Sequence, residues 1–127
     1  MKIILGFVLS LMLSMSCTAE VPERIYTMQK LEFHFNNFKA SKDQYQALNS
    51  LFRMNNAVLD LMEYLPEPLS NLEDDDPKVV EYRSVLNELL TEINRVKHVF
   101  NAGDFKEGKK SVKEMERIKK KGHSIFK

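Results

Sequence analysis

Residues 76–103 read DPKVVEYRSVLNELLTEINRVKHVFNAG. The apolar positions Val79, Tyr82, Leu86, Leu89, Ile93, Val96 and Phe100 follow the alternating three-and-four spacing that gathers them on one face of an α-helix and makes the seam of a helix bundle. Asp76 before Pro77 pairs an N-cap with the residue best suited to a first helical turn. Asn101-Ala102-Gly103 supplies the stop, with Gly103 as the left-handed terminator. A helix this long with one apolar face needs other helices to cover it.

The flanking sequence supplies them. Downstream, Asp104 with Glu107 three later caps a fourth helix, whose inner face is Phe105, Gly108, Val112, Met115, Ile118, Gly122 and Ile125 or Phe126. Upstream, Pro66 to Asp76 holds Pro66, Pro68 and the acidic run Glu73-Asp74-Asp75-Asp76 and reads as the longest connection. Before it, Ser41 with Gln44 matches a capping box that opens a second helix. Its heptad stripe is Tyr45, Leu48, Phe52, Leu59 and Met62, interrupted by Asn55 and widened by Leu51, Val58 and Leu65. A first helix opens at Val21-Pro22-Glu23-Arg24 and carries Met28, Leu31, Phe35 and Phe38. No segment alternates with period two. The expected fold is all-α, an antiparallel up-down-up-down four-helix bundle.

The 127 residues suit one domain. Residues 1–19 read as an export signal: Lys2, an apolar run from Ile3 to Met15 too short to span a membrane, and the small-residue segment Ser16-Cys17-Thr18-Ala19. Cleavage after Ala19 leaves a bundle over 20–127 and places the protein in the periplasm. Lipid anchoring at Cys17 is the lesser alternative, because Ser14-Met15-Ser16 lacks the leucine expected at the start of a lipobox. The remaining 108 residues hold no cysteine, which excludes a disulfide framework, and 18 basic against 18 acidic residues give no reason to expect nucleic acid. A monomer that does not span the membrane is expected. No nucleophile and base, zinc spacing or phosphate loop points to an enzyme. Charge is nevertheless uneven: residues 106–127 hold nine Lys or Arg against three Glu, and residues 60–81 hold eight acids against one Lys. Solvated helix faces explain this, and so does orientation toward a charged redox partner.

In an antiparallel bundle the start of the first helix and the end of the fourth share one end of the molecule. Met28 and His123 then lie at one level, roughly 6 to 8 Å in from that end at 1.5 Å per residue. Val58, Leu61, Met62, Tyr82 and Leu86 are expected around them. His123 shares the azimuth of Val112 on the apolar stripe, whereas His34 and His98 fall off their stripes and read as surface residues. A thioether facing an imidazole across an apolar pocket is a donor pair suited to haem iron. A core methionine and a satisfied core histidine account for the same two positions.

From Met28 through Lys127 the chain resembles, without gaps, the cytochrome b562 family, whose fold is a standard up-down bundle. Met28-Gln29-Lys30-Leu31 matches the family's Met-x-x-Leu near the start of helix one. Ala57-Val58-Leu59-Asp60 matches the close of helix two, with Pro66 and Leu69 fitting the middle loop. Glu81-Tyr82-Arg83 resembles the acidic-aromatic-arginine opening of helix three, and residues 101–107 resemble its last turn. His123 stands where the family's histidine ligand stands. The resemblance implies one non-covalent haem b per chain, Met28 and His123 as axial ligands, and single-electron transfer with a periplasmic redox partner. It also implies Leu31, Tyr82 and Leu86 against the haem, and Lys119 and Lys127 toward its propionates.

Departures from the family have consequences. Leu86 and Gly122 stand where bulkier aromatic residues are expected, which implies looser packing and faster haem loss. Lys119 and Lys127 replace arginines, so a propionate contact would be a point charge rather than a fork. Lys119 and Gly122 occupy the two cysteine places of the related Cys-x-x-Cys-His attachment, excluding a covalent haem. The rival reading is a haem-free periplasmic bundle with a binding or chaperone-like role, which would use the same stripes as core.

Overall fold

The computed structural model describes residues 23–125, with side chains from residue 27 onward. The export-signal reading of 1–19, Cys17, Phe126 and Lys127 lie outside the described residues. Five helices appear: α1 Glu23–Ala40, α2 Gln44–Glu63, α3 Pro77–Asn101, α4 Phe105–Lys109 and α5 Ser111–Ile125, with a 3-10 turn at Glu67–Leu69. No strand occurs among the described residues. Each of α1, α2 and α3 is one leg of a four-helix bundle, and α4 with α5 makes the fourth. None of these helices is long and apolar enough to cross a membrane.

α3 forms as its local signals require. The Asp76 side chain accepts the Lys78 N–H at 2.9 Å, Pro77 opens the helix, and Gly103 takes φ 89° just past its end. The apolar face buries Val79, Tyr82, Leu86, Ile93, Val96 and Phe100, with Leu89 half-buried. At the turn end, Phe38 and Phe100 meet edge to face at 6.0 Å and both are fully buried. Each such side chain contributes on the order of 1.5–3 kcal/mol through burial. Leu69, carried by the 3-10 turn, plugs the core from the long connection.

The fourth leg is not one helix. The Asp104 cap holds, its carboxylate accepting the Glu107 N–H at 3.0 Å, but the helix breaks at Lys110, whose N–H returns to the Glu107 carbonyl. Two contacts fix the break. A Cβ on Gly108 would lie 2.6 Å from Phe100 ring carbons, so only glycine allows this approach. Beyond the break, the Ser111 hydroxyl donates to the buried Glu92 carboxylate at 2.5 Å.

The second helix differs from its expected form in cap and facing. Asp43, in extended conformation, is the N-cap and accepts the Gln46 N–H at 2.8 Å. Ser41 is buried and donates back to the Phe38 carbonyl at 2.7 Å, so it closes α1 rather than opening α2. The seam turned to the core is Ala47, Leu51, Met54, Val58 and Leu61, and Tyr45, Phe52 and Leu59 face solvent. Small residues at Ala47, Ser50 and Ala57 let the neighbouring backbones approach, which turns the bulkier stripe outward. His34 is a third difference. It is buried against Phe33, ring centroids 5.2 Å apart, while His98 is exposed as expected.

α1 packs on α2, α2 on α3 and α3 on α5, whereas the backbones of α1 and α5 approach each other least closely. Side chains span that wider seam: Lys39 to Glu116 at 3.1 Å and Lys119 to Glu32 at 2.7 Å.

Candidate functional site

The wide seam opens into a cleft of about 690 Å³, continuous with solvent, within the 300–1,000 Å³ range of ligand sites. Its lining comes from every leg of the bundle. α1 supplies Met28, Leu31, Glu32 and Phe35, and α2 supplies Met54 and Leu61. α3 supplies Tyr82, Val85, Leu86 and Leu89, and α5 supplies Met115, Ile118, Lys119, Gly122 and His123. Six of the seven residues singled out from sequence, Met28, Leu31, Tyr82, Leu86, Lys119 and His123, therefore share one cavity; Lys127 lies outside the described residues. Val58 and Met62 are not part of the lining. Val58 belongs to the fully buried seam, and Met62 stands half-buried on α2's outer stripe.

Local structure accounts for each position. Met28, Leu31 and Phe35 repeat at three and four residues along α1, and Ile118, Gly122 and Ile125 do the same on α5, so each helix presents its apolar stripe to the gap. His123 sits in the last turn of α5, where the helix end favours a positive partner, and its side chain is exposed at the rim. Gly122 leaves the wall beside His123 open: a Cβ there would meet only a Val85 methyl at 3.5 Å, ordinary contact. Tyr82 forms part of the floor at 3% exposure, and burial pushes its hydroxyl up to about 12 against the opposing pull of Arg83. It stays protonated throughout the physiological range.

Two groups that sequence reasoning did not single out matter at the rim. Glu32, one turn after Met28, holds the Lys119 ammonium at 2.7 Å, and Lys119 also stands 5.8 Å from the Phe35 ring centroid. The i to i+4 relation to Met28 was the available signal, but a charged residue on a helix flank has no distinguishing mark until its partner helix is placed.

A soft thioether on α1 and an imidazole on α5, on the two helices that flank the widest seam, are a suitable donor pair for iron in a macrocycle, and the walls between them are apolar and aromatic. Among the described residues no group of three or more His, Cys, Asp or Glu side chains is gathered to hold a bare metal ion.

Comparison with known proteins agrees with this geometry. The model of the family described as cytochrome b562 matches residues 26–127. A curated relative from Yersinia pestis, "Probable soluble cytochrome b562 1", is 32% identical over 87 residues, which is 68% of this chain and 68% of that protein.

Proposed function

The chain belongs to the cytochrome b562 family, a haem-binding electron-carrier type, and from that premise we propose that it binds one non-covalent haem b with Met28 and His123 as axial ligands and passes single electrons. The observation that supports this reading most directly is that Met28 and His123 line the same cleft from α1 and α5, the pair of helices held furthest apart. Haem bound there would supply a reversible one-electron couple.

The chain's own residues do the rest. Met28 offers a thioether, which favours the reduced metal and raises the potential, and His123 offers a neutral nitrogen at the rim. With both axial positions taken by protein, no open position is left for substrate, in keeping with a carrier rather than an enzyme. Leu31, Tyr82 and Leu86 exclude water and keep the dielectric low. Lys119 and Lys127 provide propionate charges as ammonium points; for Lys119 this means exchanging the Glu32 carboxylate for a propionate oxygen. The basic C-terminal segment and the acidic stretch 60–81 give the molecule a charge asymmetry that would orient it toward a charged redox partner. Export by residues 1–19 to the periplasm, without a lipid on Cys17, completes the proposal.

The test is haem titration of the exported protein, followed by absorption in both oxidation states, with Met28→Ala and His123→Ala in parallel. Sharp low-spin bands at one haem per chain, turned high-spin or lost in each variant, are the expected result. Absence of stoichiometric uptake by the wild type would leave a haem-free bundle instead.

A further inference from the structure

α2 carries two apolar faces, and the bundle uses one. The second runs Tyr45, Leu48, Phe52, Asn55, Leu59 and Met62, an alternating three-and-four seam over six positions. Tyr45 is 81% exposed, Phe52 56% and Leu59 47%, while Leu48, Asn55 and Met62 stand half-buried along one edge. Isolated apolar residues on a surface need no explanation, but a continuous stripe with coiled-coil spacing does. None of the six lines the cleft.

We propose that this outward stripe of α2 is a docking surface for a second copy of the chain, packed in parallel register with Asn55 meeting the partner's Asn55. Three observations favour that occupant. First, a lone asparagine within an apolar seam pairs amide to amide with its own copy and fixes register and oligomer number. Against an unrelated apolar partner it would be a buried polar group without a counterpart. Second, the stripe itself carries no charge, so two copies meet without repulsion. A membrane surface would call for flanking lysines and arginines, and α2 has Arg53 alone against Asp60 and Glu63. Third, the area is of the right order. Taking about 200 Å² per aromatic side chain, the exposed parts of Tyr45 and Phe52 come to roughly 270 Å² per copy. With Leu59 and the rim, two copies would bury on the order of 1,000 Å², the lower edge of specific interfaces. The pair is therefore a weak, concentration-dependent dimer rather than an obligate one, in place of the monomer expected from sequence.

The parallel two-fold arrangement leaves the two clefts at the same end of the assembly, with neither His123 covered. The proposal stands on α2 and does not depend on what the cleft binds.

Sedimentation equilibrium of the purified chain across a range of concentrations tests it, beside Phe52→Glu and Asn55→Cys, with circular dichroism to verify the fold. Both positions face outward or lie at an edge, so the bundle should persist in each. The expected result is reversible dimerisation of the wild type, at least a tenfold weaker association in Phe52→Glu, and a disulfide between two Asn55→Cys chains on mild oxidation. A wild type that stays monomeric throughout, or a dimer that Phe52→Glu leaves unchanged, would overturn the proposal. Dimerisation without the Asn55→Cys disulfide would overturn the parallel register.

Discussion

Glu92 is an acid on α3 with a tenth of its side chain exposed, and it is held there by two neighbours. Arg95 donates two hydrogen bonds to its carboxylate at 3.0 and 2.7 Å, and the Ser111 hydroxyl donates a third from α5. The Arg95 hydrogen bonds lower its pKa most, Ser111 adds to the effect, and burial opposes both. A carboxylate whose folded pKa is depressed stabilises the fold above its unfolded value and loses that contribution as pH falls through the folded one. Urea unfolding should thus show Glu92→Gln less stable than wild type at neutral pH, with the gap closing below about pH 4.5. A gap that persists unchanged to pH 3 would contradict this assignment. His34 acts in a separate window. Its burial first, then Arg53 and Lys30, lowers its pKa below 6.5, so the unfolded chain takes up that proton first and stability declines as pH falls below 6.5. Neither burial was legible in the sequence. Periodicity assigns an azimuth to each residue, but at the flank of a stripe the neighbouring helix decides whether that azimuth is wet or dry.

At the scale of the element, signals confined to a few adjacent residues were readable and signals shared between helices were not. Both ends of α3 follow from Asp76-Pro77 and Gly103, each acting through its own backbone. The facing of α2 did not follow, because two stripes fit the heptad equally well. The bulkier one, Tyr45, Phe52 and Leu59, lost to one whose merit is small residues at a close approach. The division between α4 and α5 was hidden for a similar reason: Phe100 on another helix sets it. Lys109 shows how the fourth leg ties down the first. Its ammonium donates to the Phe38, Lys39 and Ser41 carbonyls at 2.8 to 2.9 Å, which are left without partners where α1 ends. Burial lowers its pKa, yet those carbonyls and the Phe38 and Phe105 rings, 5.5 and 5.7 Å away, favour the cation. Replacing it as Lys109→Met keeps the stem and removes the donors. Hydrogen bonds to a charged group contribute about 1.5–3 kcal/mol each at most, and water can reach part of this site, so a loss of about 2 kcal/mol is expected in urea unfolding. Faster amide exchange at Ser41 and Lys42 should accompany it, with the amides at the centre of α3 unchanged relative to global stability.

For the whole molecule, the site is a gap in the packing that the bundle tolerates because a ligand can complete it. That Met28 and His123 share a level was legible, since antiparallel topology fixes which helix ends meet. The gap's width was not, because it depends on how closely α1 and α5 approach, and Glu32 entered the site only through its contact with Lys119. The cleft draws its walls from all four legs, so a haem held there binds the folded chain and has no comparable site on the unfolded one. Such a ligand stabilises by RT ln(1 + [L]/Kd), about 2.7 kcal/mol at a hundredfold excess over Kd, and for a domain of this size that raises Tm by roughly 10 to 20 °C. His123 is exposed and makes no buried packing contact that its truncation would empty. Calorimetry should therefore find the haem-free Tm of His123→Ala within about 2 °C of wild type, in keeping with the small cost of surface substitutions, while the haem-induced rise shrinks by more than half. If haem raises Tm equally in both proteins, His123 is not the ligand. If His123→Ala already melts much lower without haem, its role is in the fold rather than the site.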